Sequence, residues 1–375
     1  MMKIKYLIYF IVITQLPGLG CVEKYDPPVT RADKNFLVVD GYINNGTDST
    51  IIKLSRTRNL GDTVSAVPEL NARLVVEKDG AFYFQLQELG GGRYAHPGQL
   101  LDNSSKYRVR ITSAQGKEYL SDEVSVVQTP PIDSISLIPR ADGVTFAVNT
   151  HDPKNNTRYY RWEYEETWEY LSNYFSGLEY INGSIGNRPP EREIHVCYRA
   201  QKSTLIFLGT SASLANDIIY QSPLLTVPRN SIRISVKYSL LVKQYALTRE
   251  AFNYWQNLKK TTEQLGSIFD VQPSQIGGNI HCLSDTTEPV LGFISASSMQ
   301  EKRIFVVPAD VDPWKYPPDI CEMRIIPPDS MHIYFVDRGW IPINIVGFGD
   351  LQASPGICAD CRLKGGTTVK PDFWP

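Results

Sequence analysis

Between Tyr160 and Tyr170 the side chains alternate so regularly that an extended strand accounts for them best. Tyr160, Trp162, Tyr164, Trp168 and Tyr170 share one parity, while Arg161, Glu163, Glu165, Thr167 and Glu169 share the other. Successive residues of a strand point to opposite faces, so this segment has one aromatic face and one charged face. The aromatic face is expected to pack into a sheet-on-sheet core. Exposed rings that stack on sugars or anchor a partner are the alternative.

The same signal recurs along the chain. Phe36–Val39, Ile51–Leu54, Arg73–Glu77, Phe82–Leu86 and Tyr107–Thr112 are β-branched or aromatic runs separated by turns such as Asn44-Asn45-Gly46 and Lys78-Asp79-Gly80. Strands at this interval predict a β-sandwich over residues 35–128. Thr129-Pro130-Pro131 is a natural seam, because prolines do not fit a central strand. Beyond it, Gly143–Val148, the Tyr160–Tyr170 run, Leu205–Leu208 and the alternating run Ile232–Val242 predict a second, mainly β domain over 131–375.

Two segments of that second domain depart from the pattern. Residues 171–192 are rich in Asn, Gly and Pro and read as an exposed insertion, so Tyr174, Phe175, Leu178, Tyr180 and Ile181 within it are the candidate contacts for a partner or ligand. Residues 248–265 predict a helix, with Thr248 as N-cap, Glu250 in the first turn, Gly266 as terminator, and Leu247, Ala251, Tyr254, Trp255, Leu258 and Leu265 at helical spacing. Its Trp255 and Leu258 face is expected to dock on the second sheet. The fold class that follows is mainly β: two tandem immunoglobulin-like or transthyretin-like β-sandwich domains with one helical insertion in the second.

Recognisable catalytic chemistry is sparse. Gly209-Thr210-Ser211-Ala212-Ser213 lacks the closing glycine of a nucleophile elbow, and His96, His151 and His332 are scattered. Glu165 and Glu166 are strand neighbours, so they point to opposite faces and cannot act on one bond. Five cysteines besides Cys21 remain, namely Cys197, Cys282, Cys321, Cys358 and Cys361, and all are candidates for structural disulfides. An odd number leaves at least one thiol free or paired elsewhere. Metal is the alternative use of such side chains, and a zinc-dependent hydrolase would require it at His195, Cys197, His281 or Cys282. A redox-active dithiol at Cys358-Ala359-Asp360-Cys361 lacks the preceding strand and helical start that lower a thiol pKa. The expectation is a protein that is not an enzyme, with no cofactor and no catalytic metal.

The start of the chain gives an address. Lys3 and Lys5 precede the apolar run Tyr6–Leu16, which is too short to span a bilayer, and Gly18 and Gly20 lead to Cys21. Residues 1–20 are therefore expected to be a lipoprotein signal peptide, and Cys21 the acylated first residue of a lipid-anchored protein. Residues 21–34, polar and proline-broken, then form a tether. The formal charge of -2 becomes more acidic once Lys3 and Lys5 are removed, so nucleic acid is not an expected partner.

Several runs together resemble a known family. They are Val38–Tyr42, Leu54-Ser55-Arg56, Val242–Phe252, Gly266–Asp270, Gln272–Gln275, Gly278-Asn279-Ile280, Glu288–Gly292, and the terminal Cys358–Cys361, Gly365-Gly366-Thr367 and Lys370–Trp374. As a set they resemble the lipoprotein family called domain of unknown function 4249, and the likeness covers nearly all of the chain after the signal. The resemblance implies an outer-membrane lipoprotein of Bacteroidota, commonly encoded beside a TonB-dependent transporter and without established enzyme activity. On that footing the expected role is that of an accessory protein that docks on such a transporter and helps capture or gate its substrate; a structural or adhesive surface lipoprotein is the alternative. Glu23 and Asp26 just after Cys21 fit exposure at the cell surface. Five Asp-Ser/Thr triplets look like the O-glycosylation motif of that phylum, which makes Ser49, Thr63, Ser134, Thr286 and Ser330 candidate attachment sites.

Overall fold

The computed structural model describes residues 35–57, 67–263, 277–311, 316–317, 319–347 and 349–375. Cys21, the signal segment, the tether, Thr63 and the predicted helix end at Leu265 and Gly266 lie outside the described residues. The protein is mainly β, as the alternation predicts. Among the described residues no helix is long and apolar enough to cross a membrane.

The first unit is built on Leu37–Asn44, which pairs antiparallel with Thr50–Arg56. Alternation buries Leu37, Val39, Ile43, Ile52 and Leu54 and turns Asp40, Ile51 and Lys53 outward. The sheet continues through Arg93–His96, Ala81–Gly90, Arg73–Lys78 and Lys106–Thr112. It then closes on itself. Val124–Val127 pairs with Lys106–Thr112 on one side and with Ala296–Ser297 on the other, and Ala296–Ser297 in turn pairs with the end of Leu37–Asn44. A closed sheet leaves few free edges.

The predicted second domain 131–375 is not one continuous stretch, because part of it returns to the first sheet. Ile280–Cys282, Leu291–Gly292 and Ala296–Ser297 belong to this first sheet, and Ile280, Cys282, Val290, Ile294 and Ala296 fill its core beside Tyr94, Tyr107 and Tyr119. Strands of two or three residues carry no detectable period, so burial rather than pattern assigns them. Gly292, at φ +138, lets this returning segment lie against Val39, where a side chain would collide with the Val39 carbonyl.

The second unit is a sandwich. Ile132–Arg140, Gly143–Asp152 and Asp217–Pro228 form one sheet. Val196–Lys202, Tyr159–Leu171, Lys237–Leu247 and Met299–Val306 form the other, with Phe207–Thr210 paired to the first part of Tyr159–Leu171. Tyr160, Trp162, Trp168 and Tyr170 are buried between them with Phe146 and Tyr238, so the aromatic face is core. Glu166 shares that face; Arg233 at 2.9 Å and the Tyr238 hydroxyl at 2.8 Å satisfy it. Glu165 points the other way, to Lys243 and Lys202. The run Ile232–Val242 is not one strand: Ile232–Ile234 is a 3-10 turn whose Arg233 amide is capped by the Ser231 hydroxyl, and the strand begins at Lys237.

The helix spans Arg249–Glu263, and the Thr248 hydroxyl accepts the Ala251 amide at 3.2 Å. It buries Ala251 and Phe252, while Trp255 and Leu258 are half-buried. Its contacts include Tyr42 and Phe293 of the first unit as well as Tyr159 and Leu208 of the second, so it packs where the two units meet rather than on the second sheet alone.

The insertion 171–192 forms a hairpin, Leu178–Ile181 with Ser184–Asn187, beside a small C-terminal sheet of Arg324–Ile326, Asp350–Pro355 and Trp340–Val346. This layer is fastened by two disulfides, Cys197–Cys361 and Cys321–Cys358. The Cys-x-x-Cys pair does not close on itself, because each cysteine meets a distant partner. Cys282 is not in a disulfide; it is a buried free thiol in the core of the first unit, near Glu288.

Candidate functional site

Where the outer face of the first sheet approaches the helix and the Tyr159–Leu171 strand there is a cleft of about 290 Å³. Its walls follow from strand parity. The outward side of Leu37–Asn44 supplies Asp40 and Tyr42, Thr50–Arg56 supplies Lys53, and Arg93 extends the row. The charged face of Tyr159–Leu171 supplies Arg161 and Glu163, and the helix supplies Trp255. Gly41, at φ +145, brings the first strand close to its neighbour, since a side chain there would strike the Ile51 carbonyl.

Arg161 is the centre of this wall. It lies opposite Tyr245 in the strand register, and its guanidinium carbon sits 4.5 Å from the Tyr245 ring centre and 4.3 Å from that of Trp255. A guanidinium between two rings gains cation–π attraction and is held in place by both. Its Nη1 donates to Glu163 Oε1 at 2.5 Å, and the Tyr245 hydroxyl donates to Glu163 Oε2 at 3.3 Å. Arg161 Nε is buried and has no hydrogen-bond partner among the described residues. Tyr42 meets Tyr245 edge to face at 5.2 Å.

Burial, with Arg161 opposing and Glu163 and Asp48 reinforcing, pushes the Tyr42 hydroxyl up to about 12. Burial, followed by the charge of Glu163, also raises Tyr245. Both hydroxyls stay protonated near neutral pH and can donate hydrogen bonds. The rim groups Asp40, Lys53 and Arg93 are exposed. The lining offers rings, fixed charges and hydroxyls but no histidine or cysteine. Such a set can hold and orient a molecule.

Other candidates from the sequence lie elsewhere. In the insertion Phe175 and Ile181 are exposed, whereas Tyr174 donates to the Cys321 carbonyl at 3.1 Å, Tyr180 packs on Phe335, and Leu178 is half-buried. Ser49, Ser134 and Thr286 are exposed and Ser330 is half-buried. The zinc set is not brought together. Cys197 is in a disulfide, His195 contacts Ser172 in the second unit, and His281 contacts Asp122 in the first. Among the described residues no cluster of three or more metal-ligating side chains occurs. The pattern of the sequence singles out none of the cleft as a site and marks Trp255 only as a packing residue. Parity shows that Arg161 and Glu163 face away from the core, but not that another unit faces them.

A family model described as "Domain of unknown function (DUF4249)" matches residues 22–303. The match ends before the small sheet of Arg324–Ile326, Asp350–Pro355 and Trp340–Val346. No curated protein matches the chain. Among solved structures, similarity is found to a protein from Corynebacterium diphtheriae described as membrane anchored, at 11% identity and a TM-score of 0.17. That similarity covers 57% of this chain and 55% of the other, so the chain spans about half the length of that protein.

Proposed function

The chain belongs to the DUF4249 family, and from that premise we propose that it is a binding protein, not an enzyme: a lipid-anchored accessory subunit of an outer-membrane TonB-dependent transporter that captures a small ligand in the cleft between its two β units. The observation that carries the binding role is Arg161, clamped between Tyr245 and Trp255 at the wall of an open cleft. A side chain held against two rings keeps its geometry before a ligand arrives, which reduces the ordering cost of binding. Anchoring is supported by the basic start, short apolar run and Cys21, and the transporter partnership by the resemblance of the sequence runs to the lipoprotein family.

The test is purification of the full chain from native membranes in mild detergent, with mass spectrometry of its amino-terminal peptide and of co-purifying proteins. Acylated Cys21 and a co-purifying outer-membrane transporter are expected. An unmodified thiol at Cys21 removes the anchor, and a chain that leaves the membrane alone removes the partnership. The exposed Phe175 and Ile181 favour a second reading, an adhesive surface protein. Deletion of residues 171–192 that abolishes attachment but leaves nutrient uptake intact would select it.

A further inference from the structure

We propose that the molecule held in the cleft is an acidic saccharide whose carboxylate is seated by Lys53 and Arg93. This rests on the cleft being the binding site. Lys53 is the register partner of Asp40 on one side and of Arg93 on the other, so three charges form one row across three neighbouring strands. Lys53 and Arg93 are directly opposite like charges, an arrangement that costs stability unless an anion answers it. Neither makes a hydrogen bond or ion pair with any described residue, and both are exposed on the cleft rim. Asp40 is one carboxylate against two cations, and Glu163 is already engaged by Arg161 and Tyr245. The row therefore carries an unanswered positive charge facing the cavity.

The rest of the lining selects the body of the ligand. Trp255 and Phe293 offer rings, while Tyr42, Ser295 and Asp40 offer hydroxyl and carboxylate groups close by. A sugar ring presents both an apolar face and hydroxyls, so it suits a wall of this mixed kind. A peptide would most readily add as a strand at a sheet edge. Here the wall is a sheet face: Leu37–Asn44 is flanked by Thr50–Arg56 on one side and by Leu291–Gly292 and Ala296–Ser297 on the other.

Calorimetric titration of the full chain with a galacturonic acid trimer, a neutral galactose trimer and an acidic tripeptide tests this. The acidic trimer is expected to bind saturably and more weakly as salt rises. The neutral trimer should bind about tenfold more weakly or less, and a Lys53→Gln/Arg93→Gln variant should lose about tenfold for the acidic trimer, the scale of one lost charge-assisted contact. Both positions are exposed, so the variant should retain the parent circular dichroism. Absence of acidic-trimer binding, equal affinity for the neutral trimer, an unaffected double variant, or preference for the tripeptide overturns the proposal. Neutral-trimer binding that Trp255→Ala abolishes would sink the acidic class while leaving the cleft as a binding site.

Discussion

Glu288 fastens the returning segment of the chain to the first sheet. Its Oε1 accepts the Tyr119 hydroxyl at 2.8 Å and faces Arg56 Nη1 at 3.4 Å, and its Oε2 meets Lys117 Nζ at 2.5 Å. Burial works to raise its pKa, but hydrogen bonds from Lys117 and Tyr119 and the charges of Lys117 and Arg56 outweigh it and hold the carboxyl below the ordinary value. A depressed folded-state pKa contributes stability that is complete above the unfolded value of 4.5 and is lost as pH falls through the folded value. Glu288→Gln should therefore cost roughly 1–3 kcal/mol at neutral pH, because charged donors lose their partner. Calorimetric melting points recorded downward from pH 7 should fall less steeply in the variant than in the parent once pH drops below that ordinary value. Parallel curves would show that the carboxylate is not coupled to folding.

The helix shows which parts of an element can be read from a sequence. Its existence, its Thr248 cap and its half-buried Trp255 follow from spacing, since the apolar residues recur every three or four positions. Phe252 escapes the stripe, yet it is a buried side chain and packs on Tyr159 at 5.0 Å between ring centres. What decides its burial is the neighbouring unit, which local periodicity cannot report. Long strands such as Tyr159–Leu171 are legible for the same reason that the two-residue strand Ala296–Ser297 is not: one displays its period many times, the other not once. The cleft suffers likewise, because Lys53, Arg161 and Trp255 are remote in sequence and meet only when the units pack. Phe252→Ala should lower stability by about 3–5 kcal/mol, the cost of emptying a buried aromatic site. Trp255→Ala, at a half-buried site, should cost less stability, and Thr248→Ala about 1 kcal/mol through the lost cap. Denaturant midpoints at unchanged slope would rank them, and a Trp255 variant as unstable as Phe252→Ala would contradict the ordering.

Across the whole molecule, the C-terminal layer is held by bonds that differ in exposure more than in loop length. Cys197–Cys361 closes a separation of 164 residues and Cys321–Cys358 one of 37, which in the chain-entropy model correspond to about 5 and about 4 kcal/mol. That gap is too small to set an order of events. Accessibility does, because thiolate exchange needs a path to sulfur. Cys197 and Cys361 are fully buried, beneath the Tyr170 hydroxyl that donates to the Cys361 carbonyl at 2.9 Å, whereas Cys321 is half-buried. Mild reductant should open Cys321–Cys358 first, loosening the small sheet and the hairpin that leans on it. Trp374 should hold on longer, since its Nε1 donates to Glu169 at 2.9 Å and its ring packs on Tyr198. Amide exchange followed by peptide mapping at increasing dithiothreitol should show protection lost first at 319–347, later at 361–375, and last in the closed sheet of the first unit, whose described residues hold no disulfide. Simultaneous loss across all three regions would mean that the layers unfold as one body and that the two bridges are not separable clamps.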